Sequence, residues 1–139
     1  MSSAVRSIAT FQPTDVAVAA DGQDFFDGSA NMVVFANGAH FAGGMHVAPM
    51  ASLCDGRLDV FVLEDVGRRA LITDIMPRVY RGGHVGRRGV RHVAAATASV
   101  RASGSMLLEM DGEQIGQTPV QVEAVPRVLR VLGLPDALR

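Results

Sequence analysis

Five Asp-Gly or Asn-Gly pairs, at Asp21-Gly22, Asp27-Gly28, Asn37-Gly38, Asp55-Gly56 and Asp111-Gly112, punctuate this 139-residue chain. Such pairs tolerate positive φ, so they reverse a chain sharply and are poor company for long helices. Between them lie short runs rich in Val, Ala, Phe and Leu. These give candidate strands at Asp15–Ala20, Asp24–Phe26, Asn31–Ala36, Gly44–Ala48, Arg57–Leu63, Val90–Arg101, Ser105–Met110, Thr118–Ala124 and Val128–Leu132. Short apolar runs broken at close intervals predict a mainly β, mostly antiparallel fold, a sandwich or a barrel, with one or two short helices.

One stretch breaks the period of two. Leu71, Ile72, Ile75, Met76 and Val79 recur at spacings of three and four, while Arg68, Arg69, Asp74 and Arg78 fall elsewhere on the wheel. That stripe predicts a helix from Gly67 to Tyr80. Pro77 lacks an amide donor and is expected to kink or end the last turn. A second short helix is expected at Ser2–Thr10, as the tail of a preceding element. The chain has no internal repeat and no low-complexity tract.

Composition narrows the function classes. A hydrophobic content of 48% is enough for one domain with a real core. The net charge of −1 does not suit bulk nucleic-acid binding. All 13 cationic residues are arginine, which removes mechanisms that need a lysine. Cys54 is the only cysteine, so neither an internal disulfide nor a multi-cysteine metal cluster can form, and a reducing, cytoplasmic setting is expected. Met1–Thr10 lacks the pattern of a secretory signal, and no apolar run has the length of a membrane span.

Four constellations could carry chemistry. Asp111-Gly112-Glu113 is either a plain hairpin turn or a carboxylate placed for general-base work. Asp55-Gly56-Arg57-Leu58-Asp59 is either a turn opening a strand or a cluster of oxygens for a hard cation, though it is too short for an EF-hand. The glycine-rich run from Asn37 to His46 has no Gly-Lys-Ser/Thr and is not a Walker-type loop; its His40 and His46 lack a third metal ligand at a set spacing. Arg78, Arg81, Arg87, Arg88 and Arg91 follow one another with no intervening acid. Such a run is either a solvated loop or a site for phosphate and anionic headgroups. Tyr80 is its only aromatic, so no stacking platform for RNA is evident.

In order and spacing, these segments resemble the bacterial diacylglycerol kinase and sphingosine kinase-like lipid kinases. The resemblance runs from Asn31 to Gly38, through Phe41-Ala42-Gly43-Gly44-Met45-His46-Val47-Ala48-Pro49, to Asp55-Gly56-Arg57-Leu58-Asp59. It continues through the Leu71 to Tyr80 helix, Arg81-Gly82-Gly83-His84, and Asp111-Gly112-Glu113 followed by Thr118-Pro119. It implies a substrate-side β-sandwich lobe over residues 13–139, preceded by an inter-lobe linker at 1–12, packed beside an α/β nucleotide lobe. Glu113 would then be the base that takes the lipid hydroxyl proton, with Asp111 orienting it or lying near Mg2+. Asp55, with the Arg57 carbonyl, would hold a structural Mg2+. Gly43, Gly44, Arg81, Arg87 and Arg88 would border the lipid substrate, with an apolar cleft for acyl chains.

ATP would be bound mainly by the other lobe, because the family's Gly-Gly-Asp-Gly-Thr motif is absent from this sequence. The implied partners are that nucleotide-binding lobe, the lipid and a peripheral membrane surface, without nucleic acid. The chain alone is not expected to be active, and an exposed apolar face is expected to favour homo-oligomers. Which lipid is phosphorylated stays open. Two other readings stand beside this one: a non-catalytic β-sandwich module that binds lipid or protein, and a small metal-dependent hydrolase using Asp55, Asp59 and the histidines.

Overall fold

The structure, a computed structural model, describes residues 12–41 and 43–129. The expected helix at Ser2–Thr10 lies outside them. Eight strands and one helical segment follow in the order β1 (Thr14–Ala20), β2 (Gln23–Ala36), β3 (Leu58–Glu64), α1 (residues 68–79), β4 (Val90–Ala95), β5 (Thr97–Ala102), β6 (Leu107–Met110), β7 (Glu113–Gln117) and β8 (Val120–Glu123). Every strand pairing is antiparallel. Six strands form one sheet in the order β4-β3-β2-β1-β5-β8, and β6 and β7 make a separate hairpin.

β2 gives the sheet its shape. Its first half pairs with β1 and its second half with β3, and the register shifts between Ala30 and Met32, where the two halves meet. A strand bent at such an irregularity can serve both halves of a sandwich. The sheet accordingly wraps over itself, and β1 and β4 approach within 8 Å although β2 and β3 separate them in the strand order. The enclosed face carries Val16, Val18, Val60, Val62, Ala98 and Val100, all buried. In β1 burial alternates along the strand, as the period of two requires. In β3 the five residues Leu58, Asp59, Val60, Phe61 and Val62 are all buried. The second face of β3 is covered in turn, with Phe61 packed against Ala36, the last residue of β2, and Ala48 of the loop that follows.

The predicted helix is present, with a different interior. Arg68–Ala70 and Met76–Val79 are α-helical, while Leu71–Ile75 is a π-helical stretch. Leu71, Ile75 and Val79 are buried against Met45 and Val47, as the stripe predicted. Pro77 neither ends the helix nor replaces its last turn. It sits at the start of the final α-turn, directly after the π-helical stretch, where a missing N–H is tolerated.

Other strand expectations are corrected. Asp24–Phe26 and Asn31–Ala36 are one strand, because Asp27-Gly28 is no turn and pairs in line with Ala17 and Val16. Val90–Arg101 is two strands parted at Ala96. Gly44–Ala48 is a loop, held by the bridge between Phe41 and Met45 and by the Ala48 N–H, which donates to the Ala39 carbonyl at 3.2 Å. β7 was not expected, since all its residues are exposed and it lacks an apolar alternation. Val128 and Leu129 lie outside any strand; the rest of that candidate falls outside the described residues.

Candidate functional site

Helix α1 does not close fully onto the sheet. Between them, under the loop that carries Met45 and Val47, lies a cavity of about 100 Å³. Val34, Phe61, Leu63, Leu71, Ile75 and Met45 line it, and Asn31 and His84 are the polar side chains in its wall. Asn31 spends its amide nitrogen on the Glu64 carbonyl, 2.9 Å away. A largely apolar cavity with one or two polar groups is the usual form of a small-molecule site.

His84 is the group that structure alone brings out. Its ring is only 4% exposed, tilted against Phe61 with centroids 5.8 Å apart, and Nε2 lies 2.9 Å from the Val47 carbonyl oxygen. A carbonyl oxygen only accepts, so Nε2 carries the proton and donates. Nδ1 is buried and has no hydrogen-bond partner among the described residues. Burial pushes the imidazole below its ordinary pKa; the Val47 contact opposes this and the nearby His46 adds to it. The sequence offered only the Arg81-Gly82-Gly83-His84 step. At Gly82, φ is +69° and a Cβ would press on Pro49, so the glycine lets this segment pass close beneath the loop that His84 grips.

Asp111 and Glu113 stand at the tip of the β6–β7 hairpin. Asp111 and Gly112 both have positive φ, 51° and 89°, forming the tight turn the sequence predicted. Both carboxylates are exposed. The root of the hairpin is held by Thr118, whose N–H donates to Met106 O at 2.9 Å and whose Oγ1 accepts from Met106 N–H at 3.1 Å. Met106 packs on the enclosed face of the sheet, whereas the cavity borders Phe61 and Val34 on the other. Leu107, Met110 and Ile115 of the hairpin are each more than half exposed.

Asp55 is a turn residue. Its Oδ1 accepts the Arg57 N–H at 2.9 Å, and Gly56 lies beside Pro126. Among the described residues no three His, Cys, Asp or Glu side chains come together to hold a metal ion. One carboxylate already engaged by a backbone N–H is a poor fit to a resident Mg2+ site, which needs several oxygen ligands, and no catalytic step is derived through it. Asp59 and the histidines do not gather into a metal-dependent hydrolase centre either. Asp59 pairs with His92, while His40 and His46 stack on each other with centroids 4.3 Å apart.

The arginine run is partly neutralised from outside itself. Asp74 of α1 binds both Arg78 and Arg87, and Glu64 binds Arg91. Arg81 and Arg88 are exposed and make no salt bridge among the described residues. Gly43 and Gly44, at positive φ, form the exposed turn between Phe41 and Met45, with open space where a Cβ would stand.

Residues 1–133 match the family model described as the YegS C-terminal NAD kinase beta sandwich-like domain. The chain belongs to that family. Among relatives of this family domain, the diacylglycerol kinase of Mycobacterium tuberculosis is 26% identical over 128 residues, covering 92% of this chain and 41% of the relative. A crystal structure of a Bacillus anthracis protein assigned to the diacylglycerol kinases superposes with a TM-score of 0.71 at 25% identity, covering 88% of this chain and 42% of that one. A second diacylglycerol kinase structure from the same organism gives a TM-score of 0.61 at 20% identity, which supports the fold alone. The chain thus spans about two fifths of the length of the relatives it matches. The mainly antiparallel, β-sandwich-like lobe expected from the sequence is the fold observed. No described helix is long and apolar enough to cross a membrane.

Proposed function

We propose that this chain is the substrate-side lobe of a lipid kinase of the diacylglycerol kinase type. In this reading it seats the apolar part of a lipid alcohol, and a nucleotide-binding lobe beside it holds ATP with its Mg2+. The observation that carries the reading is the apolar cavity under α1, in a domain whose relatives include a diacylglycerol kinase. Glu113 is the base. Its carboxylate takes the proton of the substrate hydroxyl as that oxygen attacks the γ-phosphorus; the bond to the bridging oxygen breaks and ADP leaves. Asp111, across the same turn, would orient Glu113 or help to hold the Mg2+ carried by ATP. The exposure of both carboxylates leaves them free to meet a second lobe.

The bare apolar side chains of the hairpin, Leu107, Met110 and Ile115, suit contact with that lobe. Arg81 and Arg88 would meet phosphate groups of substrate or membrane, near the half-exposed Tyr80 that follows the helix, while Gly43 and Gly44 keep the rim free of side chains. Arg87 contributes less, because Asp74 already holds it.

The test is reconstitution with a nucleotide lobe from the same source, following phosphate transfer from ATP to diacylglycerol, sphingosine and other lipid alcohols. Glu113→Gln should lower transfer by about 100-fold or more, the size of a lost general base, without unfolding an exposed position. A stable two-lobe complex with no transfer to any alcohol would point to the binding-module reading instead.

A further inference from the structure

The β6–β7 hairpin is a lever gripped at one end. All five residues of β7 are exposed, and no residue of β6 or β7 belongs to a hydrophobic cluster among the described residues. A free-standing two-stranded hairpin is marginal in water, so what holds this one lies at its root. There Met106 packs on the enclosed face of the sheet and stands opposite Thr118, one step beyond the Leu107–Gln117 pair. Opposed residues of a regular antiparallel ladder exchange two backbone hydrogen bonds. Here the Thr118 N–H donates to the Met106 carbonyl at 2.9 Å as in a ladder, but the Met106 N–H donates to Oγ1 of Thr118, at 3.1 Å, in place of a carbonyl. Beside this clasp the Ser105 hydroxyl donates to Oε1 of Gln117 at 2.6 Å. A side chain therefore closes half of the clasp, which an aliphatic residue at 118 could not do.

We propose that Thr118 is a positioning residue for Glu113: its hydroxyl fixes the tilt of the hairpin, and with it the place where the Glu113 carboxylate meets the substrate hydroxyl. This rests on the reading of Glu113 as the base. Glu113 and Gln117 are the two ends of β7, four residues apart, which is up to about 13 Å at the rise of an antiparallel strand. A tilt of about 10° at the root of such a lever moves its tip by about 2 Å. A general base acts only within hydrogen-bond reach of the proton it takes, and a misplacement of about 1 Å can cost about 100-fold in rate. Thr118 acts through the hairpin, away from the reacting atoms.

Three variants and two measurements separate the parts of this proposal. Thr118→Val keeps the shape of the side chain and the Thr118 N–H bond and removes the acceptor, whereas Thr118→Ser keeps the acceptor. Thr118→Ala removes the same acceptor and takes the place of Thr118→Val if that variant does not fold. Residual dipolar couplings of the backbone amides, measured on the 139-residue chain, report the tilt of the hairpin against the six-stranded sheet. Wild-type couplings of β6 and β7 should fit the alignment of the sheet. In Thr118→Val they should shrink while those of the sheet stay as they are, and Thr118→Ser should keep them. In the complex with the nucleotide lobe, Thr118→Val should lower kcat by about 10- to 100-fold with both KM values unchanged, the pattern of an interaction needed only in the transition state. Thr118→Ser should restore most of the rate.

Wild-type hairpin couplings that do not fit the sheet, or couplings that stay unmoved when the acceptor is removed, would overturn the clasp; neither reading needs an active enzyme. Shrunken couplings with full kcat in the complex would overturn the positioning role, because the nucleotide lobe would then be what holds the tip. In those cases a loss of transfer in Glu113→Gln leaves the base reading standing. An inactive wild-type complex, or transfer that survives Glu113→Gln, would remove the base reading and the proposal with it.

Discussion

The buried Asp59 pairs with the half-buried His92 across adjacent strands, with Nε2 of His92 2.6 Å from Oδ1 of Asp59. Asp59 is 4% exposed in a strand that is buried along five consecutive residues. The His92 ring also lies on Phe61, with centroids 4.6 Å apart. The imidazole is thus the donor that makes a carboxylate tolerable at that depth.

His92→Ala strands this carboxylate and should lower the unfolding free energy by about 3 kcal/mol. Asp59→Asn keeps an acceptor facing the ring and should cost about 1 kcal/mol. Urea denaturation of the two variants measures the difference, and equal losses would mean that the pair is not the source of stability.

Asp21 ties two turns that are far apart in sequence. Its Oδ1 accepts the N–H groups of Ala96, at 2.8 Å, and Thr97, at 2.9 Å, while its own N–H donates to Thr97 O at 2.8 Å. The Thr97 N–H, with those of Ala96 and the Arg57 guanidinium beside it, holds the Asp21 carboxyl below its ordinary pKa. A depressed carboxylate stabilises the fold above its unfolded value, near 3.8, and loses that contribution as pH falls through the folded value. Thermal melts should show a fall in midpoint below about pH 4 that is smaller in Asp21→Asn, which keeps an oxygen acceptor but does not titrate.

His84 has the opposite charge change and a different window. Its folded pKa lies below the ordinary 6.5, so below that pH the unfolded chain gains a proton that the folded chain resists. Stability from this group is complete above about pH 6.5 and declines as pH falls toward the folded value. Melts between pH 7.5 and 5 should lose part of this slope in His84→Phe. An unchanged slope would place the titration elsewhere.

Glycine positions separate backbone strain from crowding. At Gly89, φ is +82° and an added Cβ would run into Val66, so Gly89→Ala should cost about 3 kcal/mol. Gly86 has φ of +76° with open space, and Gly86→Ala should cost about 1 kcal/mol. Gly104 has neither feature and should accept alanine within about 0.5 kcal/mol. Chemical denaturation of the three variants checks the order.

Local signals in the sequence were good guides where a few neighbouring residues decide the outcome. Asp21-Gly22 and Asp111-Gly112 are turns at positive φ, and the Leu71, Ile75 and Val79 stripe is the buried face of α1. The same chemistry misled at Asp27-Gly28, where pairing with β1 keeps the pair inside a strand. β7 escaped notice because it is exposed throughout and shows no alternation. At the candidate site, Asp111 and Glu113 were legible from their motif. The arginine run looked unopposed along the chain, yet Asp74 meets Arg87 from 13 residues away.

The sequence by itself determined a mainly antiparallel β lobe, its helix, the acidic hairpin tip and the likeness to lipid kinases. Turn conformation and side-chain period act over a few residues and can be read in order. Tertiary structure decided the cavity, the burial of His84, and the partners of Asp59 and Asp21, which lie 33 and 75 or more residues away. Those features depend on which faces meet once the sheet wraps and the helix settles, and neither burial nor a missing hydrogen-bond partner exists until the chain has folded.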